Sequence, residues 1–360
     1  MAADPRYIAV LTVDGRDYTD WETVLVKHQL RTAPLYYCRF TCSEGSPLTK
    51  NWGALQIMPG AACTVTLGGL LAFTGKVTTR QVFYDAKKHH IEIQAANLTE
   101  IMVGSVVTQT GEWKDKTLET IIKDVLKPVK LNLVVEGGKL PDKPIPVVRS
   151  TPGESIHDFI DHLVRSVGSS TSIGVSFTSN VKGDFVLVVG QTGGTDNVTE
   201  GVNIIEGRET IYDPYMGQDV VTSSQAPATN KIWGAHVASI PFAQETLKML
   251  GKMGAPAVVI SELPTAVDNV IKGRTTTERN WMMEDFVTVF ATVYGWSKPS
   301  GGLWLRGQTV IVNSPMLVMN GISLTLKSVT FSQDNRTGTR TVLELVNANV
   351  LSQLAPTEQQ

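Results

Sequence analysis

The chain has 360 residues, 42% of them hydrophobic and 18% charged, with 31 glycines and 17 prolines. These are globular proportions that exclude a disordered or collagen-like chain, and the length suits roughly two to three domains with sizeable cores. A formal net charge of −2 is too neutral for a dedicated nucleic-acid binder.

In chain order, residues 7–100 read as β-structure. Met1 to Arg6 lacks the cationic start and apolar run of a signal peptide, and no stretch of about 20 apolar residues follows. The expectation is a chain made in the cytoplasm that does not insert into a membrane. The sequons at Asn97, Asn197 and Asn335 then carry no meaning. Tyr7–Val13 is an apolar run, Asp14-Gly15 a hairpin signal, and Tyr18–Leu30 a second strand region. Leu35–Cys42, Ala62–Leu67, Leu70–Val77 and Ile91–Ala95 are further strands, with Pro59-Gly60 and Gly68-Gly69 as turns. Such spacing argues for a closed antiparallel barrel or a sandwich. Cys38 and Cys42 are an even number apart on one strand, which places both on one face as small core residues. With Cys63 the cysteine count is odd, which argues against a disulfide framework, and too few ligands lie nearby for a metal.

Residues 101–205 change character. Leu118, Ile121, Ile122 and Val125 fall at helical spacing within Thr117–Lys127, and Pro128 stops that helix. Leu131–Val135 reads as a strand. Thr151-Pro152-Gly153-Glu154 predicts a helix with Thr at the N-cap, Pro next and Glu at the third position. Its buried stripe is Ile156, Phe159, Ile160, Leu163 and Val167, and Asp158 and His162 form a surface i, i+4 pair. Ile173–Phe177 and Phe185–Val189 pair around Lys182-Gly183-Asp184. Together these make an α+β insert.

Beyond it, Asp219–Ser224 and Lys231–Ile240 read as strands and Pro241–Lys252 as a short helix. Thr275-Thr276-Thr277-Glu278 is a capping-box pattern that opens a helix towards Asp285. Phe286–Trp296 is apolar or β-favouring on both sides, so it is covered on both faces or lies at an interface. Leu303–Asn313, Ile322–Gln333 and Thr339–Val346 complete a second β-unit, and the tail Ser352–Gln360 is polar and frayed.

The two β-units echo each other. Ile57-Met58-Pro59-Gly60, Ala62–Leu67 and Leu71–Val77 stand in the first where Trp304-Leu305-Arg306-Gly307, Thr309–Asn313 and Leu324–Val329 stand in the second. A polar turn and a last strand follow each, His90–Gln94 and Arg340–Val346. The echo is one of pattern, not identity, and any two barrels built of hairpins show something like it.

Catalytic constellations are absent from the sequence. No HExxH, GxSxG or Walker pattern occurs. Of the histidines His28, His89, His90, His157, His162 and His236, the adjacent pair reads as a solvated turn rather than a metal site. Gly190-Gln191-Thr192-Gly193-Gly194 has the wrong glycine spacing for a dinucleotide loop. Glu284 and Asp285 would face opposite sides of a strand, which argues against a glycosidase pair. Trp296 and Trp304 flank a hairpin and suit core packing better than a sugar platform. No catalytic, cofactor-binding or metal-binding residue is assigned, and the chain reads as a non-enzyme. A wall-degrading enzyme and a receptor-binding tail-tip module are the rivals from other classes.

A resemblance enters at Phe73-Thr74-Gly75-Lys76-Val77 and at Tyr84-Asp85-Ala86-Lys87-Lys88-His89-His90-Ile91-Glu92-Ile93-Gln94. With Ala95-Ala96-Asn97-Leu98-Thr99-Glu100-Ile101 these resemble the Mu-type phage baseplate hub and tail protein family (late control D-like, with tail-tube-like barrels). That family has a G-x-V element, then Y-D-x-x-x-H, alternating Ile or Val, and Gly-Arg-Asp or Ser where Ala95-Ala96-Asn97 stands here. Thr117–Val125, Thr151–Ile156, Glu278–Trp281, Val287–Trp296, Leu303-Trp304 and Thr337–Leu345 continue the likeness in order. The resemblance implies a β-dominated α+β fold, with two tail-tube-like antiparallel β-barrel domains and inserted α/β domains. The expected bounds are 1–100 for the first barrel, 101–205 for the insert, and 206–240 with 286–352 for the second barrel. Residues 241–285 would be a helical excursion packed on the α+β part, and 353–360 a flexible tail.

The resemblance also implies a function. Three chains would form a pseudo-sixfold ring in the baseplate of a contractile phage tail, assembled in the host cytoplasm. The ring would join the sixfold tail tube, or a tube initiator, to a threefold central spike, and contact the baseplate wedge proteins. DNA would pass through its lumen without specific binding, and no spike or lysozyme module would be fused to the chain. A tailocin, a gene-transfer agent or a secretion spike would use an equivalent hub.

Overall fold

The computed structural model describes residues 4–43, 56–85, 89–108, 111–167, 175–190, 192–212, 219–223, 242–246, 257–260, 274–275, 277–278, 284 and 286–347. A 3-10 turn at Pro5–Tyr7 leads into β1 (Ala9–Val13). Asp14 and Gly15, with φ of 48° and 77°, turn it back into β2 (Arg16–Tyr18), the primed geometry that the dipeptide favours. The strand expected to run from Tyr18 is broken at Asp20, whose φ is 60°, and resumes as β3 (Thr23–Gln29). Then come β4 (Tyr36–Ser43), β5 (Ala62–Leu67), β6 (Leu70–Tyr84) and β7 (His89–Asn97). Burial alternates along β1, β3 and β5, as strands with one core face require. Cys38 and Cys42 on β4, and Cys63 on β5, are buried free thiols.

The insert holds α1 (Ile101–Gly104), β8 (Glu112–Lys116), α2 (Leu118–Leu126), β9 (Leu133–Glu136) and β10 (Ile145–Arg149). It continues with α3 (Ile156–Val167), β11 (Val175–Ser179) and β12 (Phe185–Val189). β8 pairs with β10, and β12 lies between antiparallel β11 and parallel β9. Thr117 caps α2 by accepting from Thr120 N–H. The helix expected from Thr151 instead begins at Ile156. Gly153 has a φ of 82°, a left-handed conformation that no helix contains. Thr151–Glu154 closes as a separate turn, with Thr151 N–H donating to the Glu154 carboxylate at 2.8 Å. Ser155 is the residue that accepts from Asp158 N–H at the true helix start.

The second unit begins with β13 (Thr195–Thr199), inside the span expected for the insert, and β14 (Ile204–Ile211). β15 (Asp219–Ser223), β16 (Phe242–Thr246) and β17 (Ala257–Ile260) form a separate three-stranded sheet. Phe242–Thr246 lies where a short helix was expected; it is instead a strand paired antiparallel with β15. The expected strand Lys231–Ile240 and the tail from Ser352 lie outside the described residues. β18 (Val287–Tyr294), β19 (Thr309–Ser314), β20 (Met319–Asp334) and β21 (Gly338–Asn347) follow.

Thirteen strands make one sheet, and its order exposes a repeat. In the first unit β5-β6-β7-β4-β3 are neighbours, all antiparallel. In the second β19-β20-β21-β18-β14 are neighbours, all antiparallel, in the same chain order. The long strands are bulged at matching places, between Val77 and Thr79 in β6 and between Leu326 and Ser328 in β20. Even the turns agree. Gly60 N–H donates to Val77 O and Gly307 N–H to Leu326 O, both at 2.7 Å. The return bonds, Val77 N–H to Ala61 O and Leu326 N–H to Gln308 O, are both 2.9 Å. One contiguous apolar core runs through both units and the insert.

Candidate functional site

Among the described residues no group of three or more His, Cys, Asp or Glu gathers as metal ligands would. Trp296 and Trp304 are both buried, which removes them as a sugar platform. Burial pushes the Cys42 thiol up to about 11 and the Cys63 thiol to about 12, so neither is a nucleophile at neutral pH. What the fold builds instead is a joint between its two repeated units, flanked by strand edges.

The joint is the antiparallel pairing of β3 with the second half of β20, from Ser328 opposite Gln29 to Asp334 opposite Thr23. Its core face is apolar because Val24, Val26 and His28 alternate inward on β3 and meet Val329 and Phe331. Leu30 N–H extends it by donating to Lys327 O at 3.2 Å. The insert docks at the same place. Thr178 Oγ1 donates to Gln29 O at 2.8 Å, and Arg31 N–H to Phe177 O at 3.0 Å. His157 Nε2 lies 3.2 Å from Arg31 O; a carbonyl only accepts, so that nitrogen carries the proton. The sequence had set His162 against Asp158. His157 is largely buried against the joint, and His162 lies 2.8 Å from Glu154.

A buried stack runs through the joint. His28 lies parallel on Tyr36 with ring centroids 3.8 Å apart, and edge-on to Phe331 at 5.4 Å. Arg306 of the second unit covers the Tyr36 ring at 5.9 Å and bridges to Glu136 of the insert at 3.2 Å. One column thus ties both units and the insert together. His28 Nε2 donates to Ala72 O at 2.8 Å. Burial, reinforced by the Arg306 charge, depresses the His28 ring to about 3, so it stays neutral. Burial raises the Tyr36 phenol to about 12.

This depression has a measurable consequence. The unfolded ring titrates near 6.5 and the folded one near 3. Between those values the unfolded chain holds the extra proton, so stability falls as pH drops from about 6.5 towards 3. His28→Phe keeps the stack and removes the titration. Relative to the variant, the parent should lose about 2 kcal/mol between neutral pH and pH 5, where carboxylates are still ionised. Urea unfolding of both chains across that range checks it; parallel curves would contradict it.

The second element of the joint is ionic. Glu284, 2% exposed, meets Arg31 and lies 3.1 Å from Lys327 Nζ. Burial pushes its carboxyl up, but the attraction of Arg31 and Lys327 outweighs burial and holds it below the usual range. Arg31 follows β3 and Lys327 sits at the β20 bulge, so this carboxylate fastens both sides of the joint. The sequence had weighed Glu284 only as a catalytic acid on a strand. It is helical, and two cations already neutralise it.

Two strand edges resemble the joint but have no neighbour among the described residues. From Glu206 to Ile211, β14 is paired only by β18 among the described residues. β5 accompanies β6 only as far as Lys76, so Thr79–Tyr84 have β7 alone. Apolar side chains stand exposed on both edges: Phe83 at 55% and Tyr84 at 74%, Ile211 at 59% and Tyr212 at 60%.

Known proteins carry this architecture. Residues 8–96 match the family described as Mu phage baseplate assembly protein GpP-like, N-terminal. Residues 99–188 match the second domain of baseplate hub protein gp44-like. The baseplate hub protein gp44 of Escherichia phage Mu is 21% identical over 349 residues, covering 93% of this chain and 86% of that protein. The fold matches the 43 kDa tail protein of prophage MuSo2 from Shewanella oneidensis with a TM-score of 0.79 and 20% identity, covering 96% of this chain and all of that one. It matches a tail protein from Neisseria meningitidis MC58 with a TM-score of 0.77 and 17% identity, over 96% and 98% of the two chains. With both N-terminal domains and nearly the full length of a hub protein matched in order, the chain belongs to the Mu-type phage baseplate hub family.

Proposed function

We propose that three copies of this chain close into a ring of six β-units at the centre of a contractile tail baseplate. The ring joins a sixfold tail tube to a threefold central spike and leaves a lumen through which DNA leaves the particle. The observation that carries this reading is the five-strand repeat. Each chain presents the same unit twice, in one continuous sheet, so threefold closure yields six similar positions. A near-neutral chain, with a net charge of −2, suits a lumen from which DNA must slide free, since tight phosphate binding needs clustered cations. The work is mechanical and needs no catalytic residue, cofactor or metal. The tube end, the spike and the surrounding wedge proteins are the partners in this reading, with the insert on the outside of the ring.

Light scattering on the full chain, alone and with its central spike protein, tests the proposal. The expected mass is three times the 39.1 kDa of the chain. A monomer that persists at micromolar concentration with the spike present would contradict it.

A further inference from the structure

We propose that one buried water molecule completes the joint, held at once by His28, Tyr36 and Arg306. Among the described residues, three polar atoms of the buried column make no hydrogen bond: His28 Nδ1, the Tyr36 hydroxyl and Arg306 Nε. His28 and Tyr36 are wholly buried and Arg306 is 3% exposed. A buried polar atom without a partner costs stability, and native chains keep few of them. Here three fall on side chains packed in one column, so a single shared partner satisfies them all. The site lies within one chain and stands apart from the ring reading above.

The three atoms do not serve one another. His28 Nε2 donates to Ala72 O, so Nδ1 of the neutral ring keeps an in-plane lone pair and only accepts. Tyr36 is stacked on that ring, with planes 8° apart and centroids 3.8 Å apart. The lone pair points along its own plane, away from the ring stacked over it, so the Tyr36 hydroxyl is badly placed to donate to it. Arg306 Nε carries one N–H and only donates. The rest of that guanidinium is engaged: Nη2 lies 3.2 Å from the Glu136 carboxylate, and the group covers the Tyr36 ring at 5.9 Å. Its charge is felt by both rings. It adds to the burial that depresses the His28 imidazole, and it opposes the burial that raises the Tyr36 phenol.

The chemistry of the three atoms selects the ligand. It must be small, neutral, and able both to donate and to accept. An anion that only accepts would set its lone pairs against His28 Nδ1, and a cation would meet the Arg306 charge. Water fits: it accepts from Arg306 Nε–H, donates to His28 Nδ1, and bonds the Tyr36 hydroxyl, which can act in either sense. Three hydrogen bonds are the usual complement of a buried water. His28 and Tyr36 belong to the first unit and Arg306 to the second, and Glu136 of the insert holds Arg306 in place. The water therefore adds directed bonds between the units in the middle of an apolar core face. Apolar burial has no direction, whereas a fully satisfied polar network admits one arrangement of its members. The column thus fixes the angle at which the two units meet.

A crystal structure of the full chain, at a resolution that shows ordered water, tests this together with urea unfolding of Tyr36→Phe. The expected density is one water within about 2.5–3.2 Å of His28 Nδ1, Tyr36 Oη and Arg306 Nε. Tyr36→Phe keeps the stacked ring and removes one bond of the water, so its unfolding constant should rise about fivefold. Without the water, the same change removes an unpartnered hydroxyl, and the variant is as stable as the parent or more so. Density with no water there, or with a water that touches only one of the three atoms, overturns the proposal. An unchanged or raised urea midpoint in Tyr36→Phe overturns it too, since the water then does not hold the joint. Should Tyr36→Phe fail to fold, the density of the parent chain decides alone.

Discussion

Gly75→Ala is expected to destabilise the chain by about 3 kcal/mol, at the upper end of what overpacking costs. A Cβ at Gly75 would lie 2.2 Å from Ala96 O and 2.7 Å from Phe73 Cζ. Ala96 O is backbone of β7, held in register with β6, and Phe73 is fully buried, so neither can swing aside. An alanine for glycine elsewhere in a strand stiffens the unfolded chain and stabilises by up to about 1 kcal/mol; here the sign should reverse. The urea midpoint of the variant reads this directly, and an unchanged or raised midpoint would show that β6 and β7 separate at little cost. The same contact explains the glycine of the G-x-V element: β6 crosses β7 too closely there for any side chain.

Glu284→Gln should cost about 3 kcal/mol, the usual result of breaking a buried ion pair from one side. Glutamine keeps the shape but removes the charge that Arg31 and Lys327 share. The folded carboxyl lies below its ordinary range, so its stabilisation is present above about pH 4.5 and is lost as pH falls through the folded value. The variant should therefore lose stability at neutral pH and show a shallower decline in acid. Adding Lys327→Met should recover part of the loss by removing one of the two cations beside position 284. If the double variant is no more stable than Glu284→Gln alone, the carboxylate is not what holds the two cations at the joint.

Much of this was legible in the sequence, for local reasons. Alternation in Ala62–Leu67 gave that strand at both ends, because one of its faces is core, whereas the strand expected over Leu303–Asn313 begins only at Thr309. The spacing of Leu118, Ile121, Ile122 and Val125 gave α2 within a residue at each end, because its buried face is set locally. Where a single backbone angle overrode the pattern, local reading failed: Gly153 moved the start of α3, and Asp20 split a strand. The non-local features were invisible. Nothing in Val24, Val26 and His28 says that their partner is Phe331, some three hundred residues away. Only the bulge positions, Val77 to Thr79 and Leu326 to Ser328, align the two units residue by residue. Glu284 read as a possible acid because its partners, Arg31 and Lys327, are distant in the chain. The sequence echo had found the right pair of units, but not the joint that unites them.

Averaged electron-microscope images of the full chain assembled with its spike test the ring most directly. The account predicts a closed ring around a central hole, with six lobes of one shape that alternate in their outer attachments and so obey threefold symmetry. Images showing two or four chains, an open filament, or three lobes without a second set between them would contradict it.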